Sequence, residues 1–385
     1  MSFKVLQVIP KLGYGGTEVG CYDLAHYLAE QGCKSYIVTS GGELLKFVRK
    51  DKVKIIRLPV GSKNPILILF NAIIILLLLI LLNINIVHAR SRAPAWSCYL
   101  ACLITRKKFV TTFHGFHSFP NKYKKFYNSI MLRSDLTIAG SNFMFEHIHD
   151  NYSEYLSARK KLLVIFRGIN LEYFDKNNVT AEKSNLIKKK WGIEEGKFVL
   201  LLPGRLTAWK GQEVFIEALN ILVEDYANLN FQAIILGSDQ GRTVYTKKLI
   251  GLIQRYRLNK RVKFVGGFRE MPVAYSVADI VISSSIKPET FGRIAVEAQA
   301  MEKPIIASNI GGSKETIKNS VSGILYKFDD PRELAKALNS MIQNGKEAMQ
   351  QMGLQGRDNV LAKFNVDKMC EKTFSEYKKL LNIKE

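Results

Sequence analysis

The chain has 385 residues, 47% of them hydrophobic, and its 56 Lys and Arg against 34 Asp and Glu give a formal net charge of +22. This length exceeds what one ordinary hydrophobic core supports, so we expect two domains of roughly 100 to 200 residues each. The 10 prolines and 27 glycines are ordinary proportions, and no low-complexity tract or fixed-period repeat is visible, which argues against a disordered chain or a solenoid.

The first half of the chain alternates short apolar runs with longer helical patterns. This order predicts a parallel sheet with helices on both faces, that is, one Rossmann-like domain. The N-terminus passes directly into the first run without a cleavage site, so we expect no secretion signal. The predicted strands are "KVLQVIP", "KSYIVTS", "KIIRLPV", "NIVHAR", "KFVTTFHG" and "DLTIAGS".

The loop after the first strand, "IPKLGYGGTE", is rich in glycine. It lacks the dinucleotide-binding fingerprint because Glu18 stands where the third glycine would be. Gly15 and Gly16 still offer bare backbone amides at a predicted helix N-terminus, where a phosphate can approach closely. A plain turn is the alternative.

The run "ILILFNAIIILLLLILL", residues 66–82, is apolar at every position except Asn71. Its 17 residues are at the lower limit for a helix that spans a bilayer. The run stands between two predicted parallel strands, which favours a crossover helix buried on the side that faces the sheet. A helix that dips into a membrane and a true span are the alternatives.

Positive charge is concentrated in residues 52–134, which contain thirteen Lys or Arg and no Asp or Glu. Such a one-sided field attracts phosphate-rich partners: nucleic acid, anionic lipid head groups or an acidic glycolipid. Solvated lysine-rich faces are the alternative. Within this region, "TTFHGFH" places His114 and His117 at the end of a strand, although a lone loop histidine is more often structural.

The second half repeats the strand and helix pattern after a polar stretch, residues 175–190, that suits a linker or an exposed helix. We expect domains at residues 1–175 and 176–365, and a C-terminal helix at 366–385 that packs back on the first domain. Two facing domains of this type would hold a substrate in a cleft at the carboxyl ends of their strands. The predicted strands are "KFVLLLPGR", "NFQAIILGSD", "VKFVGGF", "DIVISSS", "KPIIASNIGG" and "SGILYKF".

Two cations follow the first strand of this second domain. In "LLLPGRLTAWKGQE", Arg205 and Lys210 stand five residues apart in a loop that leads into a helix, and the Walker A pattern is absent. Fixed cations at the positive end of a helix can hold a diphosphate and stabilise the charge that grows on it as a leaving group. Solvated surface residues are the alternative.

Two glutamates, Glu289 and Glu297, stand eight positions apart in "PETFGRIAVE". On one continuous helix they would not share a face. If a helix begins near Gly292, Glu289 lies in the loop and Glu297 on the second helical turn, and both carboxylates can point into one cleft with the amides of Phe291 and Gly292. Carboxylates that accept hydrogen bonds from vicinal hydroxyls suit a sugar and a ribose.

The five cysteines are dispersed and odd in number, and no pair has a zinc-knuckle or redox CxxC spacing, so we expect reduced thiols in a cytosolic compartment. The six histidines are also dispersed, and no HExxH or Asp-x-Asp pattern occurs, so we predict no metal site. The cysteines are Cys21, Cys33, Cys98, Cys102 and Cys370.

Five motifs occur in order at the predicted strand ends: "GYGGTE", "HGFH", "GRLTAWKG", "ETFGRIAVE" and "SNIGGSKE". Together they resemble glycosyltransferase family 4, the retaining GT-B enzymes, across nearly the whole chain. The resemblance implies a first domain for the acceptor, a second domain for a nucleotide-sugar donor, and no obligatory cofactor.

The resemblance also implies roles for single residues. Arg205 and Lys210 would contact the donor diphosphate, which Gly15 and Gly16 would approach from the other domain. His114 would lie beside the reacting sugar. The catalytic residues would be His114, Arg205, Lys210 and Glu289.

The glutamate motif supplies the remaining donor contacts that the resemblance implies. Glu289 would bind the transferred sugar, Glu297 would hold the ribose, and Phe291 and Gly292 would add backbone contacts. Many relatives have Asn-Gly-Val-Asp where this chain has Arg-Gly-Ile-Asn at residues 167–170, so no role is carried over there.

Longer segments, among them "HARSRAPAWS", "KKFYNSIM" and "ETFGRIAVEAQAM", resemble the lipopolysaccharide core mannosyltransferases. The implied reaction moves mannose from GDP-mannose to a Kdo-containing inner core at the inner face of the cytoplasmic membrane. The candidate contacts for this anionic glycolipid are Arg90, Arg92, Lys122, Lys124 and Lys125.

Two other interpretations remain open. The first is a UDP-sugar-dependent enzyme of the same fold, such as a glucosyltransferase, that acts on another cell-envelope glycolipid. The second is a basic nucleic-acid-binding protein, although no recognisable nucleic-acid module is present.

Overall fold

The computed structural model describes residues 3–116, 119, 121–156, 161–226 and 229–383. The chain divides into two compact units, Met1–Gly168 with Val366–Glu385, and Ile169–Asn365. Each unit is built on one parallel sheet, so the predicted pair of Rossmann-like α/β domains is confirmed.

Strands and helices alternate along the first unit. Both faces of the parallel sheet are covered by helices, which explains why its strands are apolar runs without alternation. The elements are β1 (Lys4–Val8), α1 (Gly16–Glu30), β2 (Lys34–Thr39), β3 (Val53–Arg57), α2 (Pro65–Leu81), β4 (Ile86–Ala89), α3 (Arg92–Thr105), β5 (Lys108–Phe113), α4 (Lys122–Ser129), β6 (Leu136–Ala139), α5 (Asn142–Tyr152) and β7 (Lys161–Val164).

The second unit repeats this arrangement. The predicted helix at residues 212–225 occurs with those bounds, and the polar stretch before it forms an exposed helix. The elements are α6 (Ala181–Trp191), β8 (Phe198–Pro203), α7 (Gln212–Asp225), β9 (Phe231–Leu236), α8 (Thr243–Arg255), β10 (Val262–Phe264), α9 (Met271–Ser276), β11 (Ile280–Ser283), α10 (Arg293–Ala300), β12 (Ile305–Ser308), α11 (Ser313–Thr316), β13 (Ile324–Tyr326), α12 (Pro331–Gln343) and α13 (Gly345–Lys363).

The two sheets share one winding order. The strands lie in the order β3-β2-β1-β4-β5-β6-β7 in the first unit and β10-β9-β8-β11-β12-β13 in the second. In each sheet the chain first builds outward in one direction and then returns to build in the other. The reversal falls between β1 and β4, and between β8 and β11, and ligands of open α/β sheets bind at such a reversal.

Helix α2 is the crossover between β3 and β4, as the sequence favoured. The Asn64 side chain accepts from the amide of Ile66 at 2.9 Å and caps the helix, with Pro65 at its first position. Asn71, the polar residue of the run, is buried and donates to the carbonyl of Pro59 at 3.1 Å. Within the described parts of the chain, no helix combines the length and the apolar character needed to cross a bilayer.

The C-terminal helix α14 (Val366–Leu380) belongs to the first unit. Its Tyr377 is fully buried, and the hydroxyl lies 2.5 Å from Nδ1 of His88 on β4. The second unit begins at Ile169 rather than at the expected residue 176. The physical reason is a backbone bridge, in which the amide of Ile169 donates to the carbonyl of Phe364 at 2.9 Å.

Candidate active site

The loops after β8 and β11 lie side by side at the reversal of the second sheet. The amide of Ile286 donates to the carbonyl of Trp209 at 2.9 Å. The Ser284 hydroxyl donates to the carbonyl of Gly211, also at 2.9 Å. These bonds hold the loop that carries the predicted cations against the loop that carries the predicted glutamate.

Lys210 and Glu289 contact each other between these loops. Lys210 ends a short 3-10 turn, Ala208–Lys210, and its Nζ lies 2.7 Å from Oε1 of Glu289. Both side chains are largely buried, with 11% and 14% of their surfaces exposed. The Ser285 hydroxyl donates to the same Oε1 at 2.5 Å. Glu289 is therefore held by an ammonium and a hydroxyl in the protein interior.

Opposing effects set the charge of Glu289. Burial raises the pKa of this carboxyl. Four other effects lower the pKa: the charge of Lys210, the hydrogen bonds from Lys210 and Ser285, and the charge of Arg205. Together they outweigh burial, so the pKa of Glu289 lies below its ordinary value. Glu289 is therefore a carboxylate at neutral pH and can accept hydrogen bonds from sugar hydroxyls.

Arg205 adds a second positive charge to the loop after β8. Its guanidinium is exposed and lies 5.7 Å from the centre of the Trp209 ring, and Nζ of Lys210 lies 4.6 Å from the same centre. The carbonyl of Arg205 accepts from Nε2 of Gln212, the first residue of α7, at 2.9 Å. Both cations thus follow β8 and precede the N-terminus of α7, an arrangement that suits a diphosphate.

Two glycines of "SNIGGSKE" lie directly against the glutamate loop. Gly311 has φ +59°, and a Cβ at this position would fall 2.5 Å from the carbonyl oxygen of Glu289. The amide of Gly312 donates to that carbonyl at 2.7 Å, and a Cβ on Gly312 would fall 2.6 Å from Cα of Phe291. Because only residues without a side chain permit this approach, the two glycines fix where Glu289 lies.

The turn between Glu289 and α10 has the predicted division into loop and helix. Gly292 caps α10 with φ +76°, so Glu289 is in the loop and Glu297 is on the helix. Phe291 is buried against Phe364, with 5.6 Å between the ring centres. The backbone amides of this turn are at the N-terminus of α10, where negative ligand atoms are favoured.

Glu297 is buried, and both of its carboxylate oxygens have partners. The Tyr275 hydroxyl donates to Oε2 at 2.8 Å, and Nε of Arg293 donates to Oε1. Burial and the nearby charge of Glu297 raise the pKa of Tyr275 well above its ordinary value. Each carboxylate oxygen has two lone pairs, so ribose hydroxyls can still be bound.

The glycine loop of the first unit follows β1, at the reversal of that sheet. Gly15 caps α1, and its carbonyl accepts from the amide of Val19 at 2.9 Å. The Glu18 carboxylate lies over Gly15, because a Cβ on that glycine would fall 2.3 Å from Oε2. A negative charge is thus present beside the amides that the sequence assigned to a phosphate. The approach of a phosphate to Gly15 and Gly16 stays a prediction.

His114 follows β5 in the first unit and contacts Arg167. The guanidinium donates to Nδ1 of His114, to its carbonyl oxygen at 3.3 Å, and to Oγ1 of Thr17 at 3.4 Å. Arg167 therefore links the end of β5 to the first turn of α1. Because Nδ1 accepts this bond, the proton of the neutral imidazole is assigned to Nε2. His117 lies outside the described residues.

Arg90 does not lie where an acceptor could use it. The residue is 6% exposed, and its Nε donates to Oε1 of Gln7 on β1 at 2.8 Å. The neighbouring His88 is also buried, and burial lowers its pKa well below the ordinary value. The guanidinium of Arg90 therefore belongs to the interior of the first unit.

The other basic candidates lie near the protein surface. Arg92 donates to an asparagine side chain of α4 at 2.7 Å. Lys125 forms an ion pair with Glu154 at 2.6 Å, which offsets its charge. Lys122 and Lys124 are exposed at the start of α4.

Cysteines and potential metal ligands are candidates for a second site among the described residues. All five cysteines are buried free thiols. Burial is the main cause that raises the pKa of Cys21 to about 11 and that of Cys102 to about 12. In the part of the chain that the structure describes, no group of three or more His, Cys, Asp or Glu side chains is placed to hold a metal ion.

Several supporting residues were missed by reasoning from the sequence. The Gly-Gly pair in "SNIGGSKE" follows a predicted strand, so its role as a close-approach site had a detectable signal. The roles of Tyr275 and Arg167 had no signal in the sequence. Tyr275 is 22 residues away from its partner Glu297, and Arg167 is 53 residues away from its partner His114. Ser285 belongs to a run of serines for which no role was predicted.

Two family models match the chain. The model described as "Glycosyltransferase Family 4" covers residues 14–173, and the model described as "Glycosyl transferases group 1" covers residues 183–359. A solved glycosyltransferase from Rickettsia africae is 37% identical, with a TM-score of 0.89 over 99% of each chain. The chain belongs to family 4 of the GT-B glycosyltransferases.

Two further matches, one curated protein and one solved structure, have other names. Spore coat protein SA of Bacillus subtilis is 27% identical over 236 residues, which are 59% of this chain and 61% of that protein. Anabaena Alr3699/HepE, solved in complex with UDP and glucose, has a TM-score of 0.82 at 22% identity and covers 98% of this chain and 100% of its own. The chain spans about half to three fifths of the curated relatives it matches. The closer resemblance to core mannosyltransferases stays a prediction.

Proposed function

We propose that the protein is a retaining glycosyltransferase that binds a nucleoside diphosphate sugar in its second unit. The observation that carries this proposal is the Lys210–Glu289 pair at the reversal between β8 and β11, with Arg205 beside it. Two cations and one carboxylate in this arrangement match a diphosphate joined to a sugar.

The cations would act on the leaving group. When the bond between the sugar C1 and the phosphate oxygen breaks, its electron pair leaves with the nucleoside diphosphate. Lys210 and Arg205 stabilise the charge that develops there, in a site where most of the Lys210 side chain is shielded from water. The acceptor hydroxyl forms the new bond to C1 on the same face, and its proton passes to the departing phosphate or to solvent.

The two glutamates would hold the donor on either side of the diphosphate. Glu289, kept ionised by Lys210, would accept from hydroxyls of the transferred sugar. Glu297 would accept from the ribose hydroxyls, and Tyr275 and Arg293 fix its orientation. The amides of Phe291 and Gly292 would complete the donor contacts.

The first unit would supply the acceptor side. His114, oriented by Arg167, would present its Nε2 proton to the reacting sugar. Gly15 and Gly16 would approach the diphosphate. Of the basic candidates, Arg92, Lys122, Lys124 and Lys125 remain suited to an anionic acceptor, whereas the burial of Arg90 assigns that residue to the interior.

We propose the donor and the acceptor that the sequence resemblance implies. The protein would transfer mannose from GDP-mannose to a Kdo-containing lipopolysaccharide inner core, as a peripheral protein at the inner face of the cytoplasmic membrane. A UDP-sugar donor and another cell-envelope glycolipid are the alternative pair within the same fold.

A donor panel tests this proposal. Purified protein is incubated with inner-core acceptor and, separately, with GDP-mannose, UDP-glucose and other nucleotide sugars, and products are identified by mass and by anomeric configuration. A hexose added from GDP-mannose with retained configuration is the expected result. Transfer from UDP-glucose alone would overturn the donor assignment.

A second measurement tests the alternative that the protein binds nucleic acid. If no nucleotide sugar is hydrolysed or transferred, and the protein instead binds RNA tightly in a salt-dependent way, the glycosyltransferase proposal fails. A Lys210→Ala variant purified in the same way serves as the control for contaminating activity, because it lacks a cation proposed to stabilise the leaving group.

A further inference from the structure

The outer face of α2 is apolar along its whole length. Seven of its residues are between 47% and 79% exposed, and all seven are Ile, Leu or Phe. They recur with helical spacing and form one stripe opposite the buried residues of the helix. The members of this outer face are Ile66, Leu69, Phe70, Ile73, Leu77, Ile80 and Leu81.

This composition departs from that of an ordinary surface helix. A helix packed on a sheet has an apolar stripe toward the core and polar residues toward water. The inner side of α2, with Ala72, Ile75 and Leu79 buried, already provides the stripe that the fold needs. The outer face adds a second apolar stripe that the packing of the first unit does not use.

Helix α3, which packs against α2, also has exposed apolar side chains. Leu103 and Ile104, near the end of α3, are 58% and 69% exposed. The Ser97 hydroxyl of α3 donates to the carbonyl of Ile68 at 2.9 Å, so the two helices lie against each other. Exposed apolar side chains on two packed helices are typical of an interaction surface.

Cations border this patch. Lys107, which follows α3, donates to the Asn83 side chain just after α2 at 3.2 Å, and Lys4 donates to the carbonyl of Leu82 at 2.7 Å. Exposed Lys63 and Arg106 flank the two helices in sequence. No Asp or Glu occurs between residues 52 and 134. The apolar face is thus flanked by positive charge, and residues 52–134, which include α2 and α3, contribute no carboxylate side chain.

We propose that the outer face of α2 docks on an anionic lipid bilayer, with the helix lying in the plane of the interface. Apolar side chains would enter the boundary between head groups and acyl chains, and the flanking cations would contact lipid phosphates. At 17 residues, α2 is about 26 Å long, so all seven outer side chains can enter one leaflet together.

Charge favours a bilayer over a second copy of this chain. In a two-fold contact the same surface meets itself, so the cations around α2 would face one another across the interface. Like charges placed together oppose association, whereas lipid phosphates neutralise them. The inference does not depend on the sugar-transfer reaction, because bilayer binding is measured without any nucleotide sugar.

Vesicle binding tests the docking surface. The full chain is mixed with vesicles of phosphatidylcholine, with and without phosphatidylglycerol, and the bound fraction is measured by flotation. Ile73→Gln with Leu77→Gln removes two outer side chains but keeps good helix formers. The matched control is Leu186→Gln with Val244→Gln, which are 64% and 83% exposed on helices of the second unit.

The wild type and the control should bind anionic vesicles equally, and the α2 variant should bind at least tenfold more weakly. Lys63→Gln with Arg106→Gln should weaken binding to anionic vesicles only. Equal binding by the α2 variant and the wild type, or no binding by the wild type, would overturn the proposal. A wild-type dimer that the α2 variant converts to a monomer, without vesicle binding, would assign the face to a second copy.

A site-specific label gives an independent measure if a variant folds poorly. The native cysteines are all buried, so a thiol-reactive, environment-sensitive fluorophore should label an added surface cysteine selectively. With Ile73→Cys the emission should shift to the blue when anionic vesicles are added, and with Val244→Cys it should not. A shift at both positions, or at neither, would contradict docking through α2.

Discussion

Nζ of Lys210 and Oε1 of Glu289 lie 2.7 Å apart, although the two residues are separated by 79 positions in sequence. The resemblance to family 4 assigned them to different parts of the donor, the diphosphate and the sugar. Their contact means that each contributes to the electrostatic environment of the other.

Replacement of Lys210 should impair catalysis strongly. Lys210→Ala removes a charge that stabilises the leaving group, and turnover should fall by on the order of 10² or more. The measurement is the rate of sugar transfer at saturating donor. Lys248→Ala, which removes an exposed lysine of α8, is the control and should leave the rate unchanged. Near-normal turnover of Lys210→Ala would remove the role in leaving-group stabilisation.

Replacement of Glu289 and Glu297 should separate the sugar from the nucleotide. Glu289→Gln should lower the transfer rate with little change in the affinity for the free nucleoside diphosphate, because that carboxylate faces the sugar. Glu297→Gln should weaken the binding of the free nucleotide as well. Titration calorimetry with the nucleotide, beside transfer kinetics, checks both. Equal losses of nucleotide affinity in the two variants would contradict the assignment.

The pH dependence of stability should report the ionisation of Glu289. Its pKa in the folded protein is lowered, so the carboxylate stabilises the fold above the unfolded pKa of about 4.3 and loses this effect as the pH falls through the folded value. The difference in unfolding midpoint between wild type and Glu289→Gln should therefore be largest near neutral pH and shrink below about pH 4. Urea unfolding from pH 7 to pH 3 measures it. A difference that stays constant with pH would show that Glu289 titrates as it does in the unfolded chain.

Gly211 should tolerate no side chain. It has φ +70°, and a Cβ there would fall 1.8 Å from the carbonyl oxygen of Ser284. Gly241 has a similar φ of +81° with no atom within 4 Å of a built Cβ, which makes Gly241→Ala a matched control. Both substitutions incur backbone strain of about 1 to 2 kcal/mol. Gly211→Ala should cost about 1 to 3 kcal/mol more, because the loop must shift.

Thermal unfolding measures the difference between the two glycine variants. Gly211→Ala should also lower the transfer rate, since the carbonyls of Lys210 and Gly211 are both held by the Ser284 hydroxyl. Equal stability of the two variants would show that the close approach to Ser284 is relieved without cost.

The fold was largely predictable because its signals are local. Apolar runs separated by helical patterns predict a parallel sheet, and the winding order places β8 and β11 together at the reversal. The division of "PETFGRIAVE" into loop and helix also follows from local rules, since Gly292 is the residue that caps α10.

The contacts within the site were not predictable, because they depend on distant partners. Arg90 was predicted to contact the anionic acceptor, yet Gln7 on the adjacent strand offers a buried hydrogen-bond acceptor 83 residues away in sequence. The outer face of α2 was hidden for another reason. A run that is apolar on all sides gives no periodicity, so the sequence could not show which side faces water.

The buried contact between Tyr377 and His88 joins the last helix, α14, to β4 in the core of the first unit. The first unit is therefore discontinuous, with the whole second unit inserted between its seventh strand and its last helix. During synthesis the inserted unit emerges complete while its host still lacks α14. We therefore expect the donor-binding unit to reach its native state first, and the unit that is translated first to be the last to finish folding.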